Sequence, residues 1–214
     1  MVSGREAAAG AGLFIGALLL DRTIESAVPD GGGRDLAGLT DALNHGGRPQ
    51  YAVVLLGGTW AAGALTGRGE WSDAALHVGA GLAAGGVLNG ALKYAVGRER
   101  PGETDDPHRF QPLDGRNRWQ SFPSGHATVA FSVASAVAEE ARTQWVTVLA
   151  YGGATAVAWS RVYDDKHWAS DVAAGALIGI VAGRGAVRLL HRGGGDPPRI
   201  TLAPGLMAIR VPLR

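Results

Sequence analysis

Six long apolar stretches, laced with glycine, leave this chain little choice but a helical fold. They cover Ala7 to Leu20, Tyr51 to Leu65, Ala74 to Leu92, Ala127 to Ala138, Trp145 to Trp159 and Val172 to Val187. Buried strands run to about 8 residues and helices start at about 10, so runs of this length predict helices. A shorter amphipathic segment around Asp35 to Leu43 adds a further candidate. Many of the 34 glycines fall inside the runs, as in GAGLAAGG from Gly79. Each interior glycine weakens a helix by about 0.5 to 1 kcal/mol relative to alanine, and close helix packing is the expected compensation. The expected architecture is all-α, a compact bundle of about six helices.

At 214 residues, the length suits one helical domain over residues 1–192, followed by a Gly/Pro-rich spacer and tail over 193–214. The tail alternates apolar and other residues around Pro204-Gly205, with Ile200 and Leu202 before it and Ile209, Val211 and Leu213 after it. That pattern predicts a short β-hairpin or an extended segment packed on the bundle. Pro29 to Gly33 reads as a turn. Pro101 to Phe122 is a long polar loop, and connections of that length tend to be functional.

Composition excludes several classes. A net charge of +1 gives no bulk attraction to nucleic acid. Zero cysteines rule out disulfides and thiolate metal centres. No carboxylate and histidine cluster shows metal-ligand spacing along the chain, so no metal is expected. Several apolar runs stop short of the 20 or so residues a membrane span needs, with Asp21-Arg22 ending one and Glu139-Glu140 another. Mean hydropathy is only +0.07. The balance favours a water-soluble or membrane-peripheral domain over an integral one, and residues 1–20 lack the cleavage site of a signal peptide.

Three short clusters carry chemistry. Lys93 precedes Arg100-Pro101 by seven residues, Pro123-Ser124-Gly125-His126 follows, and Ser160-Arg161 leads to His167 and Asp171. A phosphoryl group in transfer spreads negative charge over its oxygens, so it needs preorganised cations and N–H donors. Lys93, Arg100 and Arg161 supply the cations, and the N–H groups of Ser124 and Gly125 supply donors at a helix start, with Ser124 as N-cap. Two histidines divide the work: His167 as nucleophile, held by Asp171 one helical turn on, and His126 as general acid. Lys93 and Arg100 share a helix face if that helix continues to Pro101.

The spellings KYAVGRERP, PSGH and SRVYDDKHWASD match, in order, K-x6-R-P, P-S-G-H and S-R-x5-H-x3-D. The chain thereby resembles the type 2 phosphatidic acid phosphatase superfamily, which also holds bacterial acid phosphatases and vanadium haloperoxidases. The resemblance implies a metal-independent hydrolase of phosphomonoesters or diphosphates, working through a phosphohistidine. Phosphate binding is implied for Lys93, Arg100, Ser124, Gly125 and Arg161, and catalysis for His126, His167 and Asp171. A lipid phosphate such as phosphatidic acid or a polyprenyl diphosphate is the expected substrate, in an extracytoplasmic setting or at the cytoplasmic membrane. Vanadate is expected as an inhibitor, or as cofactor in the alternative reading of a haloperoxidase; otherwise no cofactor is implied. His45, His77, His108 and His191 lack motif partners and read as structural or exposed. Asp105, Asp106, His108, Arg109, Arg116 and Arg118 in the long loop are candidates for contacting the leaving group.

Overall fold

The computed structural model describes residues 4–28 and 36–192, together with the backbone of 199–203 and 206–210. Among the described residues, seven α-helices follow one another: α1 (Gly4–Ser26), α2 (Ala37–Gly46), α3 (Pro49–Thr66), α4 (Gly69–Val96), α5 (Gly125–Ala141), α6 (Gln144–Tyr163) and α7 (Ala169–Arg192). Single 3-10 turns at Pro101–Glu103 and Asn117–Trp119 punctuate the long loop. The all-α expectation holds. The tail forms a two-stranded antiparallel ribbon, β1 (Arg199–Ala203) with β2 (Leu206–Arg210), with Thr201 opposite Ala208. Its side chains, and the expected turn at Pro29 to Gly33, lie outside the described residues.

The centre of the bundle is α5, which packs on α7, α6 and α4. Its core is built from small side chains, Ala127, Ala130, Ala134, Ala154, Ala158 and Ala176, around Phe131 and Val157. Here the glycines do their work. A Cβ at Gly179 would sit 2.7 Å from the Ser132 nitrogen and the Thr128 carbonyl oxygen, and one at Gly183 would sit 2.4 Å from the Ser132 carbonyl oxygen. Gly81 of α4 meets Gly183 of α7 as closely. Backbones at this separation leave no room for a side chain, which is how glycine cost within each helix returns as packing between them.

The expectation of a water-soluble or peripheral domain is corrected. Among the described residues, three helices, α1, α4 and α7, are long and apolar enough to cross a membrane. Large apolar side chains stand exposed on the outer faces, including Leu19, Val54, Leu55, Val87, Val148, Leu149 and Leu189. So much exposed hydrocarbon on a bundle is the mark of a membrane-associated chain. The sequence misled because Asp21, which seemed to end an apolar run, is buried inside α1, and the helix continues to Ser26. Glu139-Glu140 do close α5.

Candidate active site

One pole of the bundle gathers the three clusters. Lys93 lies in the last turn of α4, which ends at Gly97. That glycine adopts φ +59°, and its N–H closes the helix on the Lys93 carbonyl at 3.1 Å. A Cβ there would fall 1.9 Å from the Gln111 carbonyl oxygen. The helix therefore stops before Arg100, and the shared helix face predicted for Lys93 and Arg100 does not form. They meet another way: both donate to the Gln120 carbonyl, Lys93 Nζ at 2.5 Å and Arg100 Nη2 at 3.3 Å. Arg100 also donates to the Lys166 carbonyl at 2.7 Å, which ties it to the third cluster.

Ser124 caps α5 as predicted, its Oγ accepting from the Ala127 N–H at 3.4 Å. Its own N–H is spent on the Asp171 carbonyl at 2.9 Å. Donor capacity at this terminus thus passes to the next residues, Gly125 and His126, whose N–H groups open the helix. The Phe122–Pro123 peptide bond leading into the cap is cis.

His167 is buried in the turn before α7, not on a helix with Asp171. Its Nδ1 donates to the Ser121 carbonyl at 2.8 Å, while Asp171 Oδ2 stands 3.8 Å away. The backbone, not the carboxylate, therefore fixes the proton on Nδ1 and leaves Nε2 with its lone pair. Asp171 acts through intermediaries. Its Oδ2 accepts from the Ser121 hydroxyl at 2.5 Å and the Trp168 N–H at 3.0 Å, which braces the strand of backbone that holds the imidazole. Burial drives the His167 pKa down to about 3, with Lys93 and Arg100 adding to the drop and Asp171 opposing it.

His126, at the start of α5, is pushed down to about 4 by burial first and then by Arg161, Arg48, Arg100 and Lys93. All four cations oppose its protonation. Burial likewise lowers Arg100, against the pull of Asp171 and Glu103. Arg161 reaches the site from the last turn of α6, with Nη1 donating to Asn44 Oδ1 at 2.5 Å. Its Nε is buried without a hydrogen-bond partner. A Cβ on Gly47 would lie 2.5 Å from the His126 ring, so the turn before α3 presses against that imidazole.

Several residues that position these groups escaped the sequence reading. Arg98, fully buried, donates to Asp171 Oδ1 at 2.7 Å, Ser170 Oγ at 2.7 Å, Asp21 Oδ2 at 2.8 Å and the Pro107 carbonyl at 2.8 Å. Asp21, reaching over from α1, caps the start of α7 by accepting from the Ser170 N–H at 2.8 Å. Asn44 of α2 joins Arg161, Ser160 and Asp164. Arg48, at the N-cap of α3, adds a further cation. The charged loop residues turn elsewhere: Arg109 and Arg118 pair with Glu99, Arg116 pairs with Asp114, and Asp106 accepts from the His108 N–H. What the loop gives the site is carbonyl oxygens at Asn117, Gln120 and Ser121.

A groove leaves this pole. It encloses about 1060 Å³ and runs between α3, α4 and α5, with Asn89, Gly125, His126 and Thr128 at the polar end. The remaining wall is apolar, including Val53, Leu56, Trp60, Leu76, Leu82 and Leu190.

Known proteins share parts of this design. A lipid A 1-phosphatase of Porphyromonas gingivalis is 34% identical over 116 residues, 53% of this chain and 23% of that protein. An undecaprenyl-diphosphatase of Sulfolobus acidocaldarius is 33% identical over 93 residues, 44% of each chain. The aligned stretch thus covers less than half the length of these relatives. Among solved structures, the fold is shared with the transmembrane PAP2 type phosphatidylglycerolphosphate phosphatase of Bacillus subtilis, at TM-score 0.65 and 23% identity over 87% of this chain and 97% of the other. It is shared also with Aquifex aeolicus LpxE, at TM-score 0.61 and 23% identity over 80% and 94%. The family model of the PAP2 superfamily matches residues 74–194, which hold all three clusters. The chain belongs to the PAP2 superfamily.

Proposed function

We propose that this chain is an integral membrane lipid phosphatase, removing phosphate from a lipid phosphomonoester or diphosphate without a metal. The observation that carries the proposal is the apolar groove opening at His126, which offers a hydrocarbon chain a wall while its headgroup meets the cations. The names of the relatives, a lipid A 1-phosphatase and an undecaprenyl-diphosphatase, agree with a lipid substrate.

In this mechanism Lys93, Arg100 and Arg161 grip the phosphate oxygens, helped by N–H groups at the start of α5. The unpartnered Nε of Arg161 is a donor that an anion satisfies. His167 Nε2 attacks phosphorus, the bond to the leaving oxygen breaks, and His126 gives that oxygen its proton. Water, deprotonated by His126, then attacks the phosphohistidine, returning His167 and releasing inorganic phosphate. His126 is neutral in the free protein at neutral pH, so it needs the negative charge of the bound phosphate to raise its pKa.

The C-terminal end of α4, the N-terminal end of α7 and Asp21 of α1 all lie at the catalytic pole. If those three helices span the bilayer, the site sits at one membrane face, where a lipid headgroup resides.

The test is phosphate release in chelator from p-nitrophenyl phosphate, phosphatidic acid, a polyprenyl diphosphate and a nucleotide, with and without detergent. Expected are preference for the lipids, inhibition by vanadate and complete loss in His167→Ala. Release that survives His167→Ala, or that favours the nucleotide, refutes the reading.

A further inference from the structure

At the pole away from the catalytic groups, three helices bring two imidazoles and a carboxylate together. His77 comes from α4, Glu140 from the end of α5 and His191 from the end of α7. His77 Nδ1 lies 2.5 Å from Glu140 Oε1, and His191 Nε2 lies 3.2 Å and 3.3 Å from its two oxygens. The imidazole rings meet edge to face with centroids 4.9 Å apart. His77 is buried, Glu140 half-buried, and His191 open to the surface. The neighbouring Glu139 pairs with Arg188, whereas Glu140, among the described residues, pairs with these imidazoles. No sequence spacing announced the cluster, because Glu140 stands 63 and 51 positions from its two histidines.

We propose that His77, Glu140 and His191 form a binding site for a divalent transition metal such as Zn²⁺, clamping α4, α5 and α7 together. Two neutral nitrogens and one carboxylate oxygen suit a borderline ion, whereas Mg²⁺ or Ca²⁺ asks for oxygen throughout. All three ligand atoms lie within 4.8 Å of one another. Ligands on a tetrahedral zinc ion stand about 3.3 Å apart. The His191 to Glu140 separation already matches, and the His77 to Glu140 separation needs to open by less than about 1 Å. Water takes the fourth position, on the open side by His191. The role is structural: His126 and Glu140 are 14 positions apart on α5, or about 21 Å along its axis. Leu76 and Leu190, next to two of the ligands, line the groove. The clamp therefore fixes the groove's far wall.

The experiment uses the full chain in detergent, with any polyhistidine tag removed and metal stripped by chelator. Co²⁺ is titrated and its visible absorption followed, then Zn²⁺ is added to displace it, and thermal midpoints are read with and without Zn²⁺. Expected are one Co²⁺ per chain with a tetrahedral spectrum, displacement by Zn²⁺, and a rise in midpoint with Zn²⁺ but not Mg²⁺. His191→Ala and Glu140→Gln should each weaken Co²⁺ binding roughly tenfold or more and remove the Zn²⁺-dependent rise. His191→Ala should keep wild-type phosphate release in chelator, since the ion is remote from the chemistry. Wild-type protein that takes up no stoichiometric Co²⁺, or binding that survives both variants, overturns the proposal. Should Glu140→Gln fail to fold, the surface variant His191→Ala decides alone.

Discussion

Replacing Arg98 with methionine tests the frame behind the site. Methionine keeps most of the stem's volume and removes the charge, so the perturbation is electrostatic. The guanidinium is 1% exposed and holds two carboxylates, Asp21 and Asp171, that are equally buried. Removing one partner of a buried ion pair costs about 3 to 5 kcal/mol, because the stranded charge has lost its water and its partner together. For a chain of this size each kcal/mol moves the thermal midpoint by about 2 to 4 °C, so Arg98→Met should lower it by about 6 to 20 °C. Adding Asp21→Asn removes one stranded charge and should recover part of the loss, a coupling of roughly 0.5 to 3 kcal/mol in a double-mutant cycle. The assay is thermal unfolding in detergent, with phosphate release measured alongside. Activity should fall even well below the melting point, since Asp171 is then free to turn away from Ser121. A midpoint within about 2 °C of wild type, or no recovery with Asp21→Asn, refutes the claim that this network holds the site.

Other predictions rest on separate features. Gly86 lines the groove with open space where a Cβ would stand, so Gly86→Phe should lower turnover of lipid phosphates at least roughly tenfold relative to p-nitrophenyl phosphate, and equal losses would contradict the groove assignment. Gly179→Ala drives a methyl into the α5 backbone and should destabilise by about 1 to 3 kcal/mol, read as a lower melting midpoint. His126→Ala should hurt substrates with poor leaving groups far more than activated esters, and a uniform loss would remove its role as acid. His126 must be protonated to act, so activity falls as pH rises through its pKa, about 4 in the free protein. Bound phosphate dianion raises that value, so the alkaline limb of kcat should lie above that of kcat/KM, and coincident limbs would count against the scheme.

The parts that sequence reveals are those written locally. Apolar runs gave the helices, and the motif spellings gave every group assigned to phosphate, because each cluster is confined to a dozen residues. The Ser124 cap was legible for the same reason. Helix ends were not: Gly97 closes α4 in a left-handed turn because the Gln111 carbonyl leaves no space for a side chain, and nothing near Lys93 announces that. Asp21 was misread because a charge at the edge of an apolar run ordinarily marks a helix end, whereas its partners Arg98 and Ser170 lie 77 and 149 positions away. Asn44 and Arg48 were invisible because a helix-end asparagine and an arginine before a proline are ordinary surface residues until the fold carries them to Arg161 and His126.

In the proposed mechanism the charge around the site predicts a preference that the motifs alone do not. Lys93, Arg100, Arg48 and Arg161 all bear on His126, while the carboxylate of Asp171 is turned to Arg98, Ser121 and Trp168. The field that attracts phosphate thus joins burial in keeping His126 deprotonated. In the proposed mechanism a ligand changes this in proportion to the charge it brings. A phosphomonoester dianion offsets two of the cations and lets His126 take up the proton it will donate. A diester, with one charge, offsets half as much and leaves the acid less protonated, even where its chain occupies the groove equally well. Selection for a terminal phosphate over a phosphodiester headgroup then arises at the acid, through the electrostatics of occupancy, without any residue dedicated to rejecting the second ester bond.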